Sequence, residues 1–375
     1  MELSHKEFVS SYKRKQKKNR MWLGLAIAAL VLVFLLSLCF RTVFPGFIPK
    51  YAAVNIWTYI KLTWSRIWGT DYYLNHTEIE MGLECYTESV LRLFNSIFTV
   101  LSGMALGLAG AVYQQIYKNP IASPSTIGAT AGVSFGNMIM AIIYSYSAVT
   151  LVVDRYLWCM GATFAITIIV VLLGRFMGYR TGSFSVVEML MLGSIIARMV
   201  TAFNTFMMYH LSTGAMIAYQ QLNLGVYQSF TYKNLLIFFV LILIGLIPLL
   251  KMRFRLNALS MDPMEAKASG IKLFGEQLLA QFLAAILVGA ACIQCGDVGL
   301  FALVIPHFVR YVIGNDFRKL AIYSTVFGGI FLLIMRIISS LIFLGTDPMP
   351  INFIVSIVMI PVFMIILALH RRGFD

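Results

Sequence analysis

Apolar runs of about twenty residues, separated by short polar or basic joints, recur along most of this chain. A helix that crosses the hydrocarbon core of a bilayer needs ~20 apolar residues. The pattern predicts such helices near 21–40, 90–112, 126–146, 150–173, 186–209, 234–250, 275–294, 299–314, 320–344 and 351–369. The stretch 211–230 is too polar and short for a full crossing and reads as a re-entrant half-helix or an outer-surface helix. The densest pattern is GLAGAVYQQIYKNPIASPSTIGATAGVSFG, ending at Gly136. It joins an apolar helix, a tight polar break at Lys118-Asn119-Pro120 and a second helix on which Gly128, Gly132 and Gly136 share a face. Gly103 and Gly107 form a second small pair on the helix before the break, and such pairs let membrane helices approach closely. The expected fold is therefore an all-α polytopic membrane protein of about ten transmembrane helices plus a short half-helix.

Composition strengthens this reading. Hydrophobic residues make up 59% of the chain and charged residues 12%, where a soluble domain carries ~25% charged. The net charge of +13 raises nucleic acid as a partner, but the distribution of charge excludes it. With a cytoplasmic N-terminus and ten alternating helices, roughly twenty of the basic residues fall on one side, as the positive-inside rule requires. That side carries Lys13 to Arg20, Lys118, Arg175, Arg180, Lys251 to Arg255, Arg318-Lys319 and Arg371-Arg372, while Glu78, Glu80, Glu84, Glu88, Asp154 and Asp347 fall on the other. Both termini are thus expected in the cytoplasm, in a multi-pass protein of the cell membrane. Met21–Phe40 is too long for a signal peptide and lacks a small-x-small cleavage site, so it is expected to stay as the first helix.

The candidate chemistry is sparse. Cys39, Cys85, Cys159, Cys292 and Cys295 give no disulfide framework, and Cys292-Ile293-Gln294-Cys295 ends an apolar helix without a second ligand pair, so these read as buried small hydrophobes. No P-loop, no Ser/His/Asp arrangement and no metal-spaced histidine cluster is present. An enzyme is therefore not expected, and ATP energy would enter through another subunit. In the segment Leu256–Lys272, Asp262-Pro263 starts a short helix, Glu265 suits its dipole and Gly270 stops it. Such a cytoplasmic helix either docks into a groove on a partner or is a surface connector.

Four blocks resemble the iron-complex and cobalamin permease family of ABC importers. They are the Gly107–Gly136 block with its Asn119-Pro120 turn, then LNALSMDPMEAKASGIK, then GLFALVIPHFVRYVIGNDFRKL with Pro306-His307, and last PINFIVSIVMIPVFMIIL. The resemblance covers about 90–375, which reads as the permease domain. Before it stand a basic tail at 1–20, the first helix at 21–40 and a long extracytoplasmic aromatic segment at 41–89. It implies a type II ABC importer permease that pairs with a second permease subunit (identical or paralogous), two ATPase subunits and an extracytoplasmic binding protein. ATP and Mg would sit on the ATPase, with no cofactor on this chain. The resemblance implies an iron complex as cargo, a ferric siderophore first and haem or cobalamin next. It places ATPase coupling at Leu256, Ser260, Asp262, Glu265, Ala268 and Gly270. The pathway would run along 186–209, 212–228 and 351–369, with Arg198, Asn204, Met207 and Asn352 as candidates.

Several positions depart from the family pattern. Of the Arg pair that docks the binding protein, only Arg92 remains, in Arg92-Leu93-Phe94-Asn95. Asn352 and Met359 stand where the family has Gly, and Asp297 where it has an apolar residue or Pro. The 41–88 segment, with Trp57, Trp64, Trp68, Tyr72 and Tyr73, is either an interfacial aromatic belt or an added lid or docking surface. Arg198 lies mid-span, where a charge costs at least ~2.5 kcal/mol unless it meets water or a partner. It either lines a central cavity for an anionic cargo or pairs internally, with Glu188 or helix carbonyls. His307 is expected to hydrogen-bond near the Pro306 kink, and Met207-Met208-Tyr209-His210 to pack at a helix end. The rival reading is a gradient-driven secondary transporter, which calls for coupled acidic residues at mid-membrane and inverted repeats with broken helices.

Overall fold

A computed structural model describes residues 5–39, 78–147, 152–181, 186–225, 232–258, 273–341, 343–344, 347–348 and 350–371. Among them eleven helices follow in order: α1 (His5–Cys39), α2 (Glu78–Ile116), α3 (Ala129–Ser147), α4 (Val152–Thr181), α5 (Val186–Met208), α6 (Thr213–Leu224), α7 (Tyr232–Ala258), α8 (Leu273–Cys295), α9 (Gly299–Ile313), α10 (Phe317–Leu341) and α11 (Ile351–Arg371). A two-residue antiparallel ladder, β1 (Phe343–Leu344) with β2 (Asp347–Pro348), turns the chain from α10 into α11. Seven helices are long and apolar enough to cross a membrane, and α3, α9 and α11 carry shorter apolar stretches. α6 is the short polar piece, twelve residues long. The largest departures from the hydrophobic pattern are at two N-terminal ends. α1 extends back to His5 and α2 to Glu78, because a helix continues through polar residues once its apolar part is fixed.

α2 is the axis of the bundle and packs on α10, α8, α9 and α7. Its widest contact is with α10, and small residues make that contact possible. A Cβ on Gly103 would strike the Gly328 carbonyl, and one on Gly107 would strike the Ser324 carbonyl. Gly110 abuts Ala302 of α9 in the same way. Without a hydrophobic drive inside lipid, this close backbone approach is what holds membrane helices together. Around it lie the fully buried Tyr113, Tyr117, Phe98 and Phe238, with Phe98 and Phe238 ring to ring at 5.0 Å. Cys159, Cys292 and Cys295 are free thiols inside this core. Cys39 and Cys85 lie outside the residues whose side chains are described.

The glycine pattern of α3 needs one correction. Gly132 and Gly136 face α4, at Thr163 and Cys159, too closely to admit a side chain. Gly128 precedes the helix at φ +85° and lies between Ile166 of α4 and Gly193 of α5. The reason is the break before it. Lys118 takes a left-handed φ of 46°, the Asn119 side chain accepts the Ile121 N–H at 2.9 Å, and Ser123 and Thr126 close a second turn. The chain re-enters helix only at Ala129.

Candidate translocation and coupling sites

α6 is tied by polar side chains to α3 and α4, and through Ser134 of α3 to α5. At its start, Ser212 caps it by accepting the Ala215 N–H at 3.4 Å. Along its length the Tyr219 hydroxyl is 3.1 Å from Ser134 Oγ of α3, and Asn204 of α5 donates to the same Ser134 oxygen at 3.1 Å. At its end, Asn137 Nδ2 donates to Asn223 Oδ1 at 3.1 Å, and Arg155 of α4 donates to the Leu222 carbonyl at 3.1 Å and to Asn137 Oδ1 at 3.4 Å. The last carbonyls of any helix lack intrahelical partners, and in a membrane no water replaces them. Arg155 fills that role, helped by Gly225 at φ +69°, whose N–H returns to Leu222 O. Gly225 also lies against Cys295 and Gly296 at the end of α8, where a side chain has no room. α6 is thereby clamped at both ends rather than lying loose on a surface.

The pathway candidates separate. Asn204 belongs to this ladder, is 3% exposed, and its Oδ1 has no hydrogen-bond partner among the described residues. Met207 packs with Met208 and Leu211 against Met138, Ala141 and Tyr219, and His210 lies edge-on to Phe206 at 5.0 Å. Arg198 is exposed on α5, makes no hydrogen bond or ion pair among the described residues, and sits among the exposed Met191, Ile195, Met199, Phe203 and Phe206. Asn352 is half-buried at the start of α11, where its carbonyl accepts from Ser356 at 2.8 Å. The His307 ring packs on Phe363 of α11 at 5.5 Å. Among the described residues no group of three metal-ligating side chains occurs.

At the opposite end of the bundle, three helices converge on the root of the loop after α7. Gln115 of α2 donates to the Leu256 carbonyl at 3.0 Å. Asn257 Oδ1 accepts the Phe317 N–H that opens α10, at 3.0 Å. Arg255 and Glu276 of α8 form an ion pair at 2.7 Å across the loop's two flanks. Next to it, Asp316 accepts both nitrogens of the Arg318 fork, at 2.9 and 3.0 Å, and its backbone N–H at 3.1 Å. These bonds hold the Asp316 carboxyl below the ordinary carboxylate pKa. Of the coupling candidates, Leu256 is buried at this root, while Ser260, Asp262, Glu265, Ala268 and Gly270 lie outside the described residues. Arg92 lies in α2, but its side chain is likewise outside them.

Two features of the site were not singled out in the sequence. Arg155 stands in an apolar span, as Arg198 does, and that position was the available signal. The Asn137–Asn223 and Ser134–Tyr219 pairs join residues 86 and 85 apart, which no local pattern marks.

Residues 51–369 match the model of the FecCD transport family. The chain is a member of that family. Among its relatives, the molybdate import system permease MolB of Haemophilus influenzae is 28% identical over 284 residues, covering 76% of this chain and 81% of the relative. The ferric enterobactin transport system permease FepD of Escherichia coli is 28% identical over 235 residues, covering 60% and 66%. YfiZ of Bacillus subtilis, a siderophore transport system permease by its name, is 25% identical over 374 residues and covers 96% and 98%. The fold matches a solved chain described as an inward-facing ABC transporter of the metal-chelate type, with a TM-score of 0.72 at 23% identity over 93% of this chain and 99% of that one. This FecCD-family chain is thus an ABC permease and a membrane protein, and its family is one of non-catalytic transport subunits.

Proposed function

We propose that this FecCD-family permease passes an iron complex, a ferric siderophore first with haem and cobalamin behind, from an extracytoplasmic binding protein into the cytoplasm. The observation that carries the reading is the family match over 51–369 together with relatives named for iron chelates. It works with a second permease subunit, identical or paralogous, and with two ATPase subunits that hold ATP and Mg. The chain itself binds no cofactor, and both termini face the cytoplasm. The loop after Leu256 is the contact for the ATPase. Its root ties α2, α7, α8 and α10 together, so force applied there reaches the bundle axis. Arg198, Asn204 and Asn352 line or border the pathway between the two permease subunits.

The molybdate relative supports a second cargo, a small oxyanion. Uptake separates them. The chain is purified from its own membranes with whatever accompanies it and reconstituted with its binding protein, and ATP-dependent entry of a ferric hydroxamate and of molybdate is measured. A stoichiometric P-loop ATPase with entry of the chelate supports the proposal, and entry of molybdate alone moves the cargo to the oxyanion. A chain that comes alone, and imports only when an ion gradient is applied, overturns the ATP-driven reading.

A further inference from the structure

α1 continues as one helix from His5 to Cys39, although its apolar part begins only at Met21. Met21 and Trp22 are exposed at 57% and 51%, and Leu25, Val31, Leu32 and Leu36 continue that apolar surface. A Trp at the end of an apolar run marks the membrane–water boundary. The helix stands at the rim of the bundle, with Leu23, Ala26, Leu30 and Val33 packed on Val326, Phe327, Ile330 and Ile334 of α10. Just beyond the boundary, six of eight consecutive positions are basic: Lys13, Arg14, Lys15, Lys17, Lys18 and Arg20. Glu7 is the lone acidic residue between His5 and Cys39.

Eight helical residues rise ~12 Å, about the depth of the headgroup layer and the first Debye length of solution. At about 100° per residue, Lys13, Lys17 and Arg20 fall on one side of the helix, Arg14 and Lys18 on another and Lys15 on a third. A single protein face covers one side of such a helix, whereas fluid headgroups surround it. The family match begins at residue 51, so this arm lies outside the residues that the family model covers. We propose that Lys13–Arg20 anchors anionic phospholipid headgroups of the cytoplasmic leaflet around α1.

The inference rests on the cytoplasmic N-terminus given under Proposed function. Protease access to an N-terminal tag in sealed vesicles reads that orientation separately, and the lipid measurement needs no transport. The complete transporter is equilibrated with equal phosphatidylglycerol and phosphatidylethanolamine in mild detergent, and retained lipids are counted by native mass spectrometry. Attraction near the surface is on the order of fivefold per basic residue. The wild type is therefore expected to prefer phosphatidylglycerol at least ~5-fold, with the preference falling as salt is raised. The K13Q/R14Q/K15Q/K17Q/K18Q variant loses it, and K13R/K15R/K17R/K18R keeps it. Equal retention in the Gln variant overturns the proposal, as does loss of the ATPase subunit from that variant with lipid retention unchanged. Should the Gln variant fail to insert, the salt response of the wild type decides, and a salt-insensitive preference overturns it.

Discussion

Arg155 is the residue on which the half-helix α6 depends most. Its guanidinium serves two acceptors on different elements, the Leu222 carbonyl and Asn137 Oδ1. Truncation leaves the Leu222 carbonyl to the Gly225 N–H and Asn137 Oδ1 to the Cys159 thiol, and losing a hydrogen bond to a charged donor costs about 1.5–3 kcal/mol. Arg155→Ala is expected to lower the unfolding midpoint in detergent and to reduce uptake more than membrane protein level. Arg155→Lys keeps one bond and is expected to fall between. Asp316 gives a prediction with a sign. Its carboxyl is held below the ordinary value by Arg318, so its contribution is complete above the unfolded pKa near 3.8 and fades as pH falls through the lower folded value. Asp316→Asn keeps a good helix cap and loses only the part-exposed ion pair with Arg318, which is expected to cost about 0.2–1 kcal/mol at neutral pH. The difference between variant and wild type should shrink in thermal melts below about pH 4.

At the scale of elements, the α2–α10 contact carries the bundle and is the easiest to break. Gly107→Leu would drive a side chain into the Ser324 carbonyl, where only backbone movement can make room. It is expected to abolish stable insertion, measured as the fraction of monodisperse protein after extraction. Gly24→Leu, which meets nothing within 4 Å, is expected to be silent. These elements were legible because lipid makes local rules strict: twenty apolar residues specify a span, and glycines at regular spacing specify close contact. The half-helix was legible from its polarity and shortness. Its clamp was not, since Arg155, Asn137, Ser134, Tyr219 and Asn223 meet only once α3, α4 and α6 are in place. Gly128 packs closely, but as the residue before α3, because spacing alone does not reveal that the Lys118-Asn119-Pro120 break delays the helix to Ala129.

For the whole molecule, the face left open on α5 determines how the permease is completed. Met191, Ile195, Met199, Phe203 and Phe206 are exposed there, Met199 at 67%, and an apolar face alone would suit lipid. Arg198 in their midst does not. A charge at mid-membrane against hydrocarbon costs at least ~2.5 kcal/mol, and Arg198 has no bonded partner among the described residues to offset it. The second permease subunit proposed above, with a hydrated pathway between the two, would remove that cost and bury the apolar rows beside it. The face of α4 carrying Leu172, exposed at 58%, has no such charge and suits lipid. A cysteine placed at Met199 in a background lacking the five native cysteines is therefore expected to crosslink this chain to a second permease subunit in native membranes, while one at Leu172 is not. Arg198→Ala should leave that crosslink intact and reduce uptake of an anionic cargo. Equal crosslinking at both positions, or none at Met199, would place α5 against lipid and remove the pathway from this face.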